Sequence, residues 1–168
     1  MTYIKTVLPR KLLTASISGS LFAILFGLFF PGSFGSEINS IKEYMWSFSA
    51  TVPFYLMYSF PVILVYGTVT SVISDFLSGL ITKNRLKRME PYLSAVFHFL
   101  FGFVLQWISL VAAILFFVTD RILGKKKNRY TWSHGLKSLI IPFLIWILFM
   151  GIIWIMDFIR DGGDHIVY

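Results

Sequence analysis

Apolar residues in this chain gather in four long blocks, over about 12–30, 52–80, 92–118 and 138–158. Each is about as long as the 20 residues needed to cross a hydrocarbon layer, or longer. An isolated segment in hydrocarbon satisfies its backbone N–H and C=O groups only as a helix. The pattern therefore predicts an all-α fold: a polytopic bundle of four transmembrane helices, with residues 1–168 forming a single transmembrane helical domain. The connections are short, and the sequence shows no internal repeat, low-complexity linker or soluble domain.

The first block follows Lys5, Arg10 and Lys11 and stops at Pro31-Gly32, a helix-ending pair. Its basic start and the small residues at Ser33-Phe34-Gly35 also suit a signal peptide, but the apolar part is longer than such a segment needs. A retained span is expected. Within it, Gly19, Ala23 and Gly27 recur at every fourth position, with Ser16 and Ser20 on the same side. Such a stripe lets another helix come close, and its partner is either this chain or a second copy. The second block, if helical from Thr51 to Ile81, is ~46 Å long and must tilt, bend or extend into the headgroups. Pro61 frees the carbonyl of Met57 and predicts a kink there, static or hinged.

Composition agrees with the pattern: 57% of residues are hydrophobic, 14% are charged and the mean hydropathy is +0.75. A globular chain carries about 25% charged residues. The absence of cysteine excludes disulfides, thiolate metal sites and cysteine nucleophiles. The net charge of +7 is assigned to the lipid bilayer and its anionic headgroups rather than to nucleic acid.

The cations complicate the topology. With four spans and the amino terminus cytoplasmic, about 8 of 15 Lys and Arg lie inside and 7 outside, so the usual bias is missing. Three spans plus a third block that enters and leaves on the same face give 13 inside and 2 outside. Insertion of copies in both orientations is a third arrangement that tolerates the balance. Hydropathy favours four spans, because nothing in "FHFLFGFVLQWISLVAAILFF" demands a break.

The candidate chemistry is one polar intramembrane pair. Asp75 precedes Lys83 by eight residues and His98 follows Glu90 by eight, which places both ~12 Å deep on neighbouring antiparallel helices. One reading makes Asp75 and His98 a proton-linked site, with Gln106 two turns deeper. A second makes them a hydrogen-bonded clasp. The plainest has Asp75 reach the headgroups beside Lys83 or Arg85.

No His-Glu-x-x-His, Gly-x-Ser-x-Gly or Walker A motif occurs, so no enzyme is expected. No cofactor or metal is expected either. Asp157, Asp161, Asp164 and His165 crowd the tail without the spacing of a calcium loop. "RILGKKKNRYTWSHGLK" reads as a headgroup-embedded loop with Tyr130 and Trp132 as anchors, or as a docking surface for an acidic partner.

In the second block, Tyr66-Gly67, Ser71, Ser74 and Asp75 within "VYGTVTSVISDFLSG" resemble a family of small uncharacterised four-pass membrane proteins of Gram-positive bacilli. That resemblance implies a bacterial cell membrane and carries no catalytic or binding role to any residue. The expected function is accessory, regulatory or interaction, with a membrane protein partner or a homo-oligomer. The alternative is a small proton-linked transporter or channel with a polar seam at Asp75 and His98. Transport predicts a cavity between helices. An interaction role predicts a sealed bundle with the Gly19, Ala23 and Gly27 stripe facing outward.

Overall fold

The computed structural model describes residues 2–35, 38–82, 89–104, 107–125 and 130–164. Among these the fold is all-α. Helix α1 covers Thr2–Phe29 and is followed by a 3-10 turn at Pro31–Phe34. Helix α2, Ile41–Val62, runs through a π-helical turn at Ile63–Gly67 into α3, Thr68–Thr82. Then come α4, Glu90–Val104, α5, Trp107–Lys125, the short α6, Trp132–Ser138, and α7, Ile140–Asp164. Among the described residues three helices are long and apolar enough to cross a membrane: Val7–Phe29, the 42-residue run Ile41–Thr82, and Trp132–Ile159.

Local chemistry explains the boundaries of α2 and α3. Ser40 caps α2 by accepting from the Glu43 N–H at 3.2 Å, and Glu43 Oε2 in turn accepts from the Asn39 N–H at 2.7 Å. The first bond satisfies an otherwise orphaned first-turn donor, and the second fixes the backbone just before the cap. Two residues after Pro61, where the sequence predicts a kink, the helix widens into the π-helical turn. Proline removes one backbone bond, and one wider turn absorbs the lost register. The run as a whole exceeds a bilayer's thickness, as its sequence requires.

The small-residue stripe packs inside the chain. A Cβ on Gly19 would stand 2.8 Å from Phe60 of α2, and one on Gly27 would stand 2.6 Å from Val52 Cγ2. Ala23 is fully buried against Val52 and Leu56. The outward-facing stripe that an interaction role predicts is therefore not what forms, because α2 fills the groove that the missing side chains open.

The third apolar block is folded on itself. His98 meets Phe116, Phe99 meets Phe117, and Gly102 meets Ala113, so rising positions on α4 meet falling positions on α5. Ser109 also donates its hydroxyl hydrogen to the Gly102 carbonyl. The two helices form an antiparallel hairpin whose ends return to one face of the bundle. Gly102 is the position that allows the close approach, since its Cβ would lie 2.6 Å from that of Ala113.

Candidate functional site

The base of the hairpin is held by ionised groups. Lys11 on α1 is fully buried, and its ammonium donates to Ser71 Oγ at 2.6 Å, Asp75 Oδ2 at 2.7 Å and Asp120 Oδ2 at 2.8 Å. An ammonium has three hydrogens, and here each has an acceptor. Asp75 comes from the middle of α3 and Asp120 from the second half of α5, so one side chain ties three helices together.

Further contacts complete the cluster. Asp75 Oδ1 accepts from Ser94 Oγ of α4 at 2.7 Å and from Arg121 Nη2 at 3.4 Å. Arg10 Nε stands 3.1 Å from Asp120 Oδ1, and its Nη2 donates to Oδ2 at 3.4 Å. Arg121 also lies over the Phe117 ring, 4.9 Å from its centre. Three cations thus surround two carboxylates. Lys11 and Asp120 are 0% and 3% exposed, whereas Arg10 and Arg121 are 24% and 36% exposed. The one excess positive charge therefore sits toward the outside. Charges this buried persist in a protein only when paired and hydrogen-bonded.

His98 lies one turn along α4 from Ser94 and does not meet Asp75. Lys11 and Ser94 occupy that carboxylate instead. The clasp between α3 and α4 exists with Ser94 in the place the spacing suggested for His98. The imidazole is 2% exposed and packs against Phe116, 5.5 Å between ring centres. Although the Ala113 backbone is near, neither ring nitrogen has a partner in hydrogen-bonding geometry. Gln106, Lys83, Arg85 and His165 lie outside the described residues. Among the described residues no three His, Asp or Glu side chains converge as a metal site would require.

Beyond His98 the hairpin walls a chamber of about 400 Å³. On the hairpin side it is lined by His98, Gly102, Ala112, Ala113 and Phe116, and on the other by Tyr55, Tyr58, Val62, Tyr66 and Thr70 of the long helix. Phe22 of α1 closes the back. Tyr58 and Val62, 68% and 48% exposed, mark the mouth. The π-helical turn forms part of the wall through Ile63, Tyr66 and Gly67. Tyr66 donates its hydroxyl hydrogen across to the Phe101 carbonyl at 2.9 Å, fastening the turn to α4.

Sequence reasoning found Asp75 and His98 but missed Lys11, Asp120, Arg10, Arg121 and Ser94 as their companions. In the sequence Lys11 reads as one of the cations that flank the first span. A signal existed: Lys11, Thr14, Ala15, Ser18 and Phe22 lie on one helical face and are all buried. Asp120, inside "FFVTDRIL", lies two residues beyond the third apolar block and needs a counter-charge as much as Asp75 does.

Comparison of the chain with protein-family models, with curated proteins and with solved structures yields no match.

Proposed function

We propose that this is a small carrier-type membrane protein that takes a small, largely apolar molecule into the chamber between its long helix and the α4–α5 hairpin. The observation that carries this reading is the placement of the two features together. The chamber of about 400 Å³ has the size of small-molecule sites, roughly 300–1,000 Å³, and the Lys11 cluster closes the bundle at the base of the same hairpin. Intramembrane ionisable groups that face a bundle's interior characteristically mark ligand or proton pathways.

In this reading the chain crosses the membrane three times and the hairpin enters and leaves on the cytoplasmic face. The 13-to-2 distribution of Lys and Arg supports it through the positive-inside rule. A bacterial cell membrane is proposed from the resemblance carried by Tyr66-Gly67, Ser71, Ser74 and Asp75. Any proton linkage runs through Asp75 and Asp120, whose charges are balanced while Lys11 sits between them.

An accessory or interaction role is the second reading. It draws on α7, whose apolar stretch is only 11% buried and leaves a broad face for lipid or a partner helix.

The test is binding of N-phenyl-1-naphthylamine to the protein in nanodiscs, with Val62→Trp as the filled-chamber control. Val62 lies at the mouth and is half exposed, so the larger ring enters open space. Saturable fluorescence with the natural chain and its loss in the variant are expected. Equal signals from both proteins and from empty nanodiscs would overturn the chamber reading.

A further inference from the structure

The two arginines of the charged cluster are only partly engaged by it. A guanidinium carries five N–H hydrogens. Arg121 gives one, from Nη2, to Asp75 Oδ1 at 3.4 Å, and its Nε has no partner. Arg10 directs Nε and Nη2 to Asp120. Among the described residues no acceptor meets Nη1 of either arginine.

Both arginines flank one strip of α5. A Cβ on Gly124 would stand 3.0 Å from Arg10 Nη1, so the Arg10 guanidinium lies along the last turn of that helix. Gly124 follows Arg121 by three residues and the exposed Lys125 follows it by four, spacings that share a helix face. Tyr130, which donates to the Leu123 carbonyl at 3.2 Å, and the half-exposed Trp132 follow this turn in the chain. Such aromatics mark the headgroup level of a bilayer.

Three cations face two carboxylates here, which leaves one positive charge over. Nearby sequence does not offset it. The stretches 83–88 and 126–129, which join the helices next to the cluster, hold seven Lys and Arg and neither Asp nor Glu. Glu90, exposed at the start of α4, pairs with neither arginine.

We propose that the edge of α5 between Arg10 and Arg121 is a site for one anionic phospholipid. Its phosphodiester accepts the open N–H hydrogens of the two guanidinium groups, the charge-assisted pairing for which arginine suits phosphate. One negative charge brings the three cations and two carboxylates to neutrality. The lipid then holds the base of the hairpin from outside as Lys11 holds it from within. Phosphatidylcholine has the same phosphate but adds a cation, which the surplus charge repels. The inference goes beyond the carrier reading and depends on the hairpin, not on the chamber.

Native mass spectrometry of the full chain, released from dodecyl maltoside micelles, counts lipids bound during titration with dioleoylphosphatidylglycerol or dioleoylphosphatidylcholine. The first phosphatidylglycerol should bind about tenfold more tightly than the first phosphatidylcholine, the gain of one charge-assisted hydrogen bond. Excess glycerol phosphate should not displace it. Arg121→Gln should remove most of the preference, whereas Lys137→Gln, at an exposed cation outside the cluster, should leave it within about twofold. Equal binding of the two lipids to the natural chain would overturn the site, whatever the variants do. Equal loss of preference in the two variants would overturn it as well, since diffuse attraction by the basic residues would then suffice. Displacement by glycerol phosphate would assign the arginines to a soluble phosphate and overturn the lipid.

Discussion

Replacing Lys11 by Met keeps the length of the side chain and removes its charge. In the folded protein this strips three hydrogen bonds of 2.6, 2.7 and 2.8 Å from Ser71, Asp75 and Asp120 at once. Removing one partner of a buried ion pair costs about 3–5 kcal/mol, because the other charge stays behind without compensation. Two carboxylates stay behind here, but each keeps a weaker partner: Asp75 has Arg121 at 3.4 Å and Asp120 has Arg10 at 3.1 Å. The expected loss is therefore near the lower bound, about 3 kcal/mol, or roughly a hundredfold in the folded-to-unfolded ratio. Because a single ammonium serves both acids, adding Asp75→Asn to Lys11→Met should cost less than the two single losses together, by about 1 kcal/mol or more. Lys11→Arg should not rescue, since a planar fork does not fit a site shaped for three converging acceptors. Unfolding by SDS in mixed micelles, followed through the intrinsic tryptophans, gives all these values. A Lys11→Met protein within 1 kcal/mol of the natural one, with additive double variants, would refute the cluster's role.

Other contacts are testable by the same titration. Gly102→Ala should destabilise by about 1–3 kcal/mol through overpacking, because its Cβ meets that of Ala113 at 2.6 Å; Ala113→Gly in the same chain should recover much of the loss. Gly27→Ala should behave likewise against Val52, with Val52→Ala relieving it. Tyr66→Phe removes the bond to the Phe101 carbonyl and should cost about 1 kcal/mol. Trp46→Phe removes the 3.0 Å bond to Asp157 that ties the start of α2 to the end of α7, again at about 1 kcal/mol.

The elements were legible in the sequence because hydrocarbon permits so few structures. Block length and proline position were enough for α1, for the long helix through α2 and α3, and for α7. The fold of the third block was not legible from hydropathy. A run of apolar residues reads alike whether it crosses a bilayer or doubles back inside protein, and the turn depends on contacts such as Gly102 with Ala113, far from local in effect. The charge distribution pointed the same way as the hairpin, since of the arrangements weighed a returning block gives the strongest bias of cations to one face. At the site, the sequence spacing brought α3 and α4 together near Asp75, one turn away from the contact that forms, since Ser94 rather than His98 meets the carboxylate. Which partner Asp75 takes was not, because Lys11 lies 64 positions away and reaches it only after α1 packs between α3 and α5.

The returning hairpin is the claim on which the rest depends. The chain has no cysteine, so single cysteines report sidedness without background. Glu90→Cys at the start of α4 and Lys125→Cys at the end of α5 should react with a membrane-impermeant maleimide from the same side in oriented vesicles. Lys137→Cys should label from that side too, and Lys42→Cys from the opposite one. Labelling of Glu90→Cys and Lys125→Cys from opposite sides would show a block that crosses the membrane and would contradict the fold described.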